Sequence, residues 1–146
     1  MALGNSMGIG IPMVQLGLGG GGAGIEKAFI IQVKTDNAGV SNDNQFELAV
    51  GNGYTYDYNI ETSDGQILNN NTGNTTITFP SAGTYELKIT GVLPSLYFQG
   101  TTDKLKVTSI INWGTNTWLS LNRSFIQFQN CVIDATDYPD LSQCTS

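Results

Sequence analysis

The chain has 146 residues, one domain's worth plus an appendage, with only 12% charged residues, 40% hydrophobic residues and a net charge of −6. The six basic residues, Lys27, Lys34, Lys88, Lys104, Lys106 and Arg123, are scattered, which excludes the clustered basic face that nucleic-acid binding requires. Histidine is absent, which removes the commonest general base and the commonest metal ligand.

Residues 1–25 contain no ionisable side chain and hold nine of the eighteen glycines. The apolar positions Ile9, Ile11, Met13, Val14, Leu16 and Leu18 are interrupted by Gly8, Gly10, Pro12 and Gly17. That pattern fits neither the continuous apolar centre of a secretory signal nor a membrane-spanning helix of about 20 residues. A disordered tail would carry charge. The segment is expected to be an extended docking arm, ordered by another subunit that receives its apolar side chains. A flexible linker, or a piece of a longer chain, is the plainer alternative. The run Gly19 to Gly22 lacks the Lys-Ser/Thr and the preceding strand of a phosphate-binding loop, and reads as a hinge.

From Ala28 the pattern changes to strands. Residues 28–34 are rich in β-branched and aromatic side chains and break at Asp36-Asn37-Ala38-Gly39. Residues 45–50 alternate, placing Phe46, Leu48 and Val50 on one face. After the turn Gly51-Asn52-Gly53, residues 54–60 align Tyr54, Tyr56, Tyr58 and Ile60. Asp64-Gly65 predicts a tight hairpin. Thr75 to Phe79 forms a strand stopped by Pro80. Residues 83–90 place Tyr85, Leu87 and Ile89 inward and Glu86 and Lys88 outward. Shorter strands are expected near 95–99 and 104–111. Such short strands, with turns every 8 to 15 residues, predict a β-sandwich.

Beyond Asn112 the spacing of Trp118, Leu121, Phe125 and Phe128 is three or four residues, which predicts one short amphipathic helix. Cys131 to Asp134 predicts a further strand and Tyr138 to Ser142 a turn. The division is therefore an arm (1–25), a sandwich (26–112) and a helix with a cap (113–146).

Several stretches resemble a known family. Lys34-Thr35-Asp36-Asn37, Ser41-Asn42-Asp43-Asn44-Gln45, Phe79-Pro80-Ser81-Ala82-Gly83-Thr84-Tyr85, Ile111-Asn112-Trp113-Gly114-Thr115 and Ile133 to Ser142 look like the amino-terminal part of BspA-type leucine-rich-repeat surface proteins. These occur in Bacteroidetes, related bacteria and their phages. The Pro80-to-Tyr85 stretch also resembles the closing strands of polycystic-kidney-disease (PKD) domains. The resemblance, over about 29–146, implies an all-β fold: an immunoglobulin/PKD-like sandwich leading into a leucine-rich-repeat-like cap, used for display or adhesion. One repeat is too few for a solenoid, which needs about three, and the leader is not a secretion signal. Both departures favour a virion protein assembled in the host cytoplasm, as capsid decoration, head fibre or tail-associated component, over a bacterial cell-surface protein.

The chemical candidates are each weaker than a structural reading. Cys131 and Cys144 are expected to be small buried thiols in a repeat-like turn rather than a disulfide, since cytoplasmic assembly is reducing, and two thiols make a poor zinc site. The acids Asp36 with Asp43, Asp57 with Glu61 and Asp64, and Asp134 with Asp137 and Asp140 offer calcium ligands without the EF-hand pattern, and read as turn formers. No spacing selects a pair of carboxylates for glycoside cleavage, so no catalytic residue, metal or cofactor is expected. Of the aromatics, Tyr97 and Trp113 are the candidate glycan contacts, while the strand-period tyrosines read as core. Expected partners are other virion subunits (capsid, portal or fibre) within a homo-oligomer or larger assembly, and host surface glycans in the adhesion alternative. Neither nucleic acid nor membrane is expected.

Overall fold

The computed structural model describes residues 27–145, so the docking-arm positions Ile9, Ile11, Met13, Val14, Leu16 and Leu18 lie outside the described residues. In chain order the elements are β1 (Phe29–Lys34), β2 (Gln45–Leu48), β3 (Asp57–Thr62), β4 (Ile67–Asn71), β5 (Thr75–Thr78), β6 (Thr84–Val92), a 3-10 turn (Lys104–Lys106), β7 (Val107–Asn112) and β8 (Val132–Ile133). A six-stranded sheet runs β4-β3-β6-β1-β7-β8, and β2 pairs with β5 in a second, two-stranded sheet. The chain is an all-β sandwich, as expected.

Alternation explains the core. In β1, Phe29, Ile31 and Val33 are 0–2% exposed and sit opposite Ile89, Leu87 and Tyr85 of antiparallel β6. On β3, Tyr58, Ile60 and Thr62 turn inward between exposed Asp57 and Glu61. Phe46 and Leu48 of β2, with Ile77 of β5, supply the facing layer and are buried with them in one hydrophobic cluster. Fully burying a side chain of this size contributes about 1.5–3 kcal/mol relative to exposure. The Asp64-Gly65 turn joins β3 to β4, and Gly65 adopts φ 95°, which a side chain would strain. Glu61 and Lys88 stand opposite each other on β3 and β6 and form a surface ion pair at 3.1 Å.

Three expectations are corrected. First, the described residues contain no α-helix, and residues 118–128 instead form successive tight turns. Ser124 N donates to Leu121 O and Cys131 N to Phe128 O, giving a step of three that imitates helical spacing. Left-handed residues Arg123 (φ 65°) and Gln127 (φ 62°) then reverse the chain, and outside partners take other backbone groups, as when Phe98 N donates to Arg123 O. The apolar face nonetheless reaches its target. Trp118 is fully buried, with Leu121, Phe125 and Phe128 packed on the same cluster.

Second, residues 95–99 form no strand beyond a single bridge between Val50 and Leu96. Their backbone partners are divided: Tyr97 N donates to Ala49 O, Phe98 N to Arg123 O, and Pro94 O accepts from Leu119 N. Third, the strand expected over 104–111 begins only at Val107, after the 3-10 turn, and the one over 54–60 only at Asp57. The segment after Asn112 packs on the sandwich. Trp113 and Trp118 enter the same cluster as Phe29, and Ile133 of β8 pairs in parallel with Ile110 of β7. This strap (113–145) wraps one end and one edge of the large sheet.

Candidate functional site

The region richest in buried charge was not singled out in the sequence beyond Lys106 as one scattered base. Asp103 and Lys106 flank the 3-10 turn and are both 0% exposed. Each faces backbone from the loop joining β1 to β2. Asp103 accepts from Val40 N (2.7 Å), Ser41 N (3.1 Å), Ser41 Oγ (2.5 Å) and Glu47 N (2.8 Å). Lys106 Nζ donates to Ser41 O (3.1 Å), Ser41 Oγ (2.9 Å), Asn42 O (2.8 Å) and Gln45 O (3.0 Å). A buried charge is tolerated only when its hydrogen-bonding capacity is filled, and here main-chain groups and the Ser41 hydroxyl fill both. The pair is a clamp holding a strandless loop. No sequence signal exposes it, because its partners lie some sixty residues away and most are backbone atoms.

The acidic residues of the strap act the same way at the surface. Asp137 accepts from Trp113 N (2.9 Å) and Gly114 N (2.8 Å), and Asp134 from Ser109 Oγ (2.7 Å). Asp140 accepts from Ser142 N (3.0 Å) and Thr117 Oγ1 (3.4 Å). Hydrogen bonds from Ser142 hold the Asp140 carboxyl below its ordinary value of 3.8. The three aspartates thus bond to different segments of the chain instead of converging. Among the described residues no group of three His, Cys, Asp or Glu side chains could hold a metal ion. Asp36 pairs with Lys34 at 2.6 Å, and Asp57 accepts from Asn70 Nδ2 at 3.2 Å.

The two candidate glycan contacts are separated by burial. Trp113 is only 7% exposed. Its ring stacks on Phe29 at 5.7 Å and meets Trp118 and Phe125 edge-on. With those neighbours it belongs to the core and presents no open face to a sugar, a correction to the surface role expected from sequence. Tyr97 is half-buried, with its hydroxyl 3.3 Å from Gln99 Oε1. Tyr56 and Tyr58 are core residues. Burial pushes the Tyr56 phenol up to about 12, and the Tyr58 hydroxyl donates to Gly73 O at 2.5 Å. Cys131 and Cys144 form no disulfide, and burial pushes the Cys131 thiol up to about 11.

The surface feature that sequence reasoning missed is apolar. Within 132–141, Val132 is 55% exposed, Ile133 66%, Tyr138 87% and Leu141 46%. Val132 and Ile133 constitute β8, where the strand order of the large sheet ends. The opposite edge, β4, reads Ile-Leu-Asn-Asn-Asn and also exposes an apolar side chain, Ile67, at 63%. Asn71 Nδ2 donates to Tyr58 O (3.0 Å) and Leu68 O (2.9 Å). The root of the leader lies at the same end of the sandwich as the close of β8. Thr115 N donates to Lys27 O at 3.2 Å. A Cβ on Gly114, whose φ is 68°, would stand 2.4 Å from Ala28 O. Gly114 is itself held by Asp137, next in sequence to Tyr138. A half-open pocket of about 210 Å³ beside this root is lined by Lys27, Thr90, Leu93, Thr115 and Asn116, smaller than sites that enclose drug-sized ligands.

No protein-family model, curated protein or solved structure matches the chain, and the resemblance to BspA-type proteins therefore has no independent match behind it.

Proposed function

We propose that the chain is a structural, non-catalytic component of a bacteriophage particle, as capsid decoration, head fibre or tail-associated protein. Its uncharged leader tethers it to another subunit while the sandwich faces outward. The observation that carries this reading is the placement of the leader's root at the end of the sandwich where β8 closes, the strand that with the turns after it exposes Val132, Ile133, Tyr138 and Leu141. The family resemblance supports an immunoglobulin/PKD-like display role for the sandwich. The adhesion alternative retains Tyr97 but loses Trp113 as a stacking face.

The test is incorporation. Chains lacking residues 1–24 are expected to fold, by circular dichroism, and to be absent from purified particles by mass spectrometry. Normal incorporation of the shortened chain would remove the tether.

A further inference from the structure

We propose that Asn52 is a self-modification site: in the folded chain the amide nitrogen of Gly53 attacks its carboxamide, and the residue converts to isoaspartate and aspartate. The inference goes beyond the tethering role of the leader and does not depend on it.

Asparagine is a thermolabile side chain, because the peptide nitrogen of the next residue can close a succinimide ring on it. Two things ordinarily prevent this. A side chain on the next residue crowds the nitrogen, or hydrogen bonds hold the nitrogen and the carboxamide in place. Asn52-Gly53 is the one asparagine-glycine pair in the sequence, so the first obstacle is missing. The second is missing too. Asn52 and Gly53 are both exposed, in the turn between β2 and β3. Among the described residues neither the Asn52 carboxamide nor the Gly53 N–H has a hydrogen-bond partner. A Cβ built on Gly53 would meet nothing within 4 Å, which leaves open space for the ring. Gly53 sits at φ 87°, and glycine's freedom there lets the peptide plane swing toward the carboxamide.

Other sites in the molecule are held. At the exposed Asp64-Gly65 turn, Gly65 N donates to Thr62 O at 2.9 Å, and the Asp64 carboxylate accepts from Thr62 and Gln66. The carboxamides of Asn37, Asn44, Asn71 and Asn74 all bond to main chain.

The step involves no oxidant or reductant. A bond forms between Gly53 N and Asn52 Cγ, the Cγ–Nδ2 bond breaks, and the Gly53 hydrogen leaves on ammonia. Water then opens the ring. Attack at Cγ breaks the new bond and gives aspartate. Attack at the main-chain carbonyl of Asn52 breaks the original peptide bond, so the chain runs through Cγ as isoaspartate. Both products add one negative charge, and isoaspartate also adds a methylene to the main chain. The flanks are pinned, Ala49 O by Tyr97 N at 2.9 Å and Gly51 O by the Tyr56 hydroxyl at 2.7 Å. The added length therefore stays in the turn and the sandwich persists.

The test ages the full folded chain in mildly alkaline buffer, with a second sample in urea as the unfolded reference. Peptide mass spectrometry and labelling by an isoaspartate-specific methyltransferase read the products. In the folded sample residue 52 is expected to gain the mass of an amide-to-acid exchange within severalfold of its rate in urea. Asparagines 37, 44, 71 and 74 should convert only in urea. Asn52→Gln, which would need a larger ring, is expected to lose the signal, and circular dichroism should show it folded because the side chain has no partner to lose. Protection of Asn52 in the folded chain would overturn the assignment. So would aspartate formed without isoaspartate, or faster conversion at any of the four held asparagines.

Discussion

Two stretches of this protein lie outside the β-ladders and are held to the sandwich by opposite means. The loop between β1 and β2 is fastened by two fully buried charges, Asp103 and Lys106, each satisfied by main chain and the Ser41 hydroxyl. The strap after Asn112 is fastened by rings, with Trp118 meeting Phe29 at 5.1 Å and Phe128 meeting Phe98 at 5.2 Å, and by aspartates nearer solvent. The first fastening is directional and fails completely when one atom type is changed. The second is spread over several contacts and should yield in stages.

The sharpest break in that comparison is Lys106→Met against Trp118→Ala. Removing the ammonium leaves the carbonyls of Ser41, Asn42 and Gln45 without their donor, at a cost of about 1–3 kcal/mol for each buried group left unbonded. Trp118→Ala should cost a similar amount, about 3–5 kcal/mol, through the cavity it leaves. Urea titration measures both. Hydrogen exchange should separate them, with protection lost around 40–47 in the first and around 113–128 in the second. Equal loss in both stretches would mean that the two fastenings are one cooperative unit.

A smaller effect is expected from Asp137→Ala, which strands the amides of Trp113 and Gly114 at about 1–3 kcal/mol. Asp137→Asn, which keeps one acceptor, should recover part of the loss. Faster exchange confined to those two amides would support a local cap, and an unchanged urea midpoint would dismiss it.

Acid should loosen the strap more gently. Because the Asp140 carboxyl is held below 3.8 in the folded chain, its contribution is present above that value. It is lost as pH falls through the lower folded one. Tryptophan fluorescence from Trp113 and Trp118 should therefore shift at the acid end, and Asp140→Asn should flatten the change. A shift that persists unchanged in Asp140→Asn would assign it elsewhere. The smallest expected signal is chemical. With the Cys131 thiol at about 11, little thiolate exists at pH 8, so alkylation there should be slower than for free cysteine. Unfolding in urea should restore the ordinary rate.

How much of this was legible in the sequence depends on where each residue finds its partner. The strands β1, β2 and β6 could be read because composition and alternation are properties of the chain itself, β1 through its β-branched and aromatic residues and β2 through alternating Phe46 and Leu48. The core role of Trp118, Leu121, Phe125 and Phe128 could be read too, but not their backbone, since turns closing every three residues leave nearly the spacing of a helix. The aspartates at 134, 137 and 140 were legible as turn formers through local chemistry. The Asp103–Lys106 clamp was not, because most of its ligands are peptide groups that any residue type would supply, and the Ser41 hydroxyl that joins them is some sixty residues away. The exposed β8 edge was equally hidden, since Val132 and Ile133 have the composition of an interior strand.

The ammonium of Lys106 stands where four oxygens of the β1–β2 loop converge. In effect the polypeptide brings its own counterion on a covalent stem. Dialysis and chelating agents cannot extract it, so the shape of this loop should be the same in any salt the molecule meets.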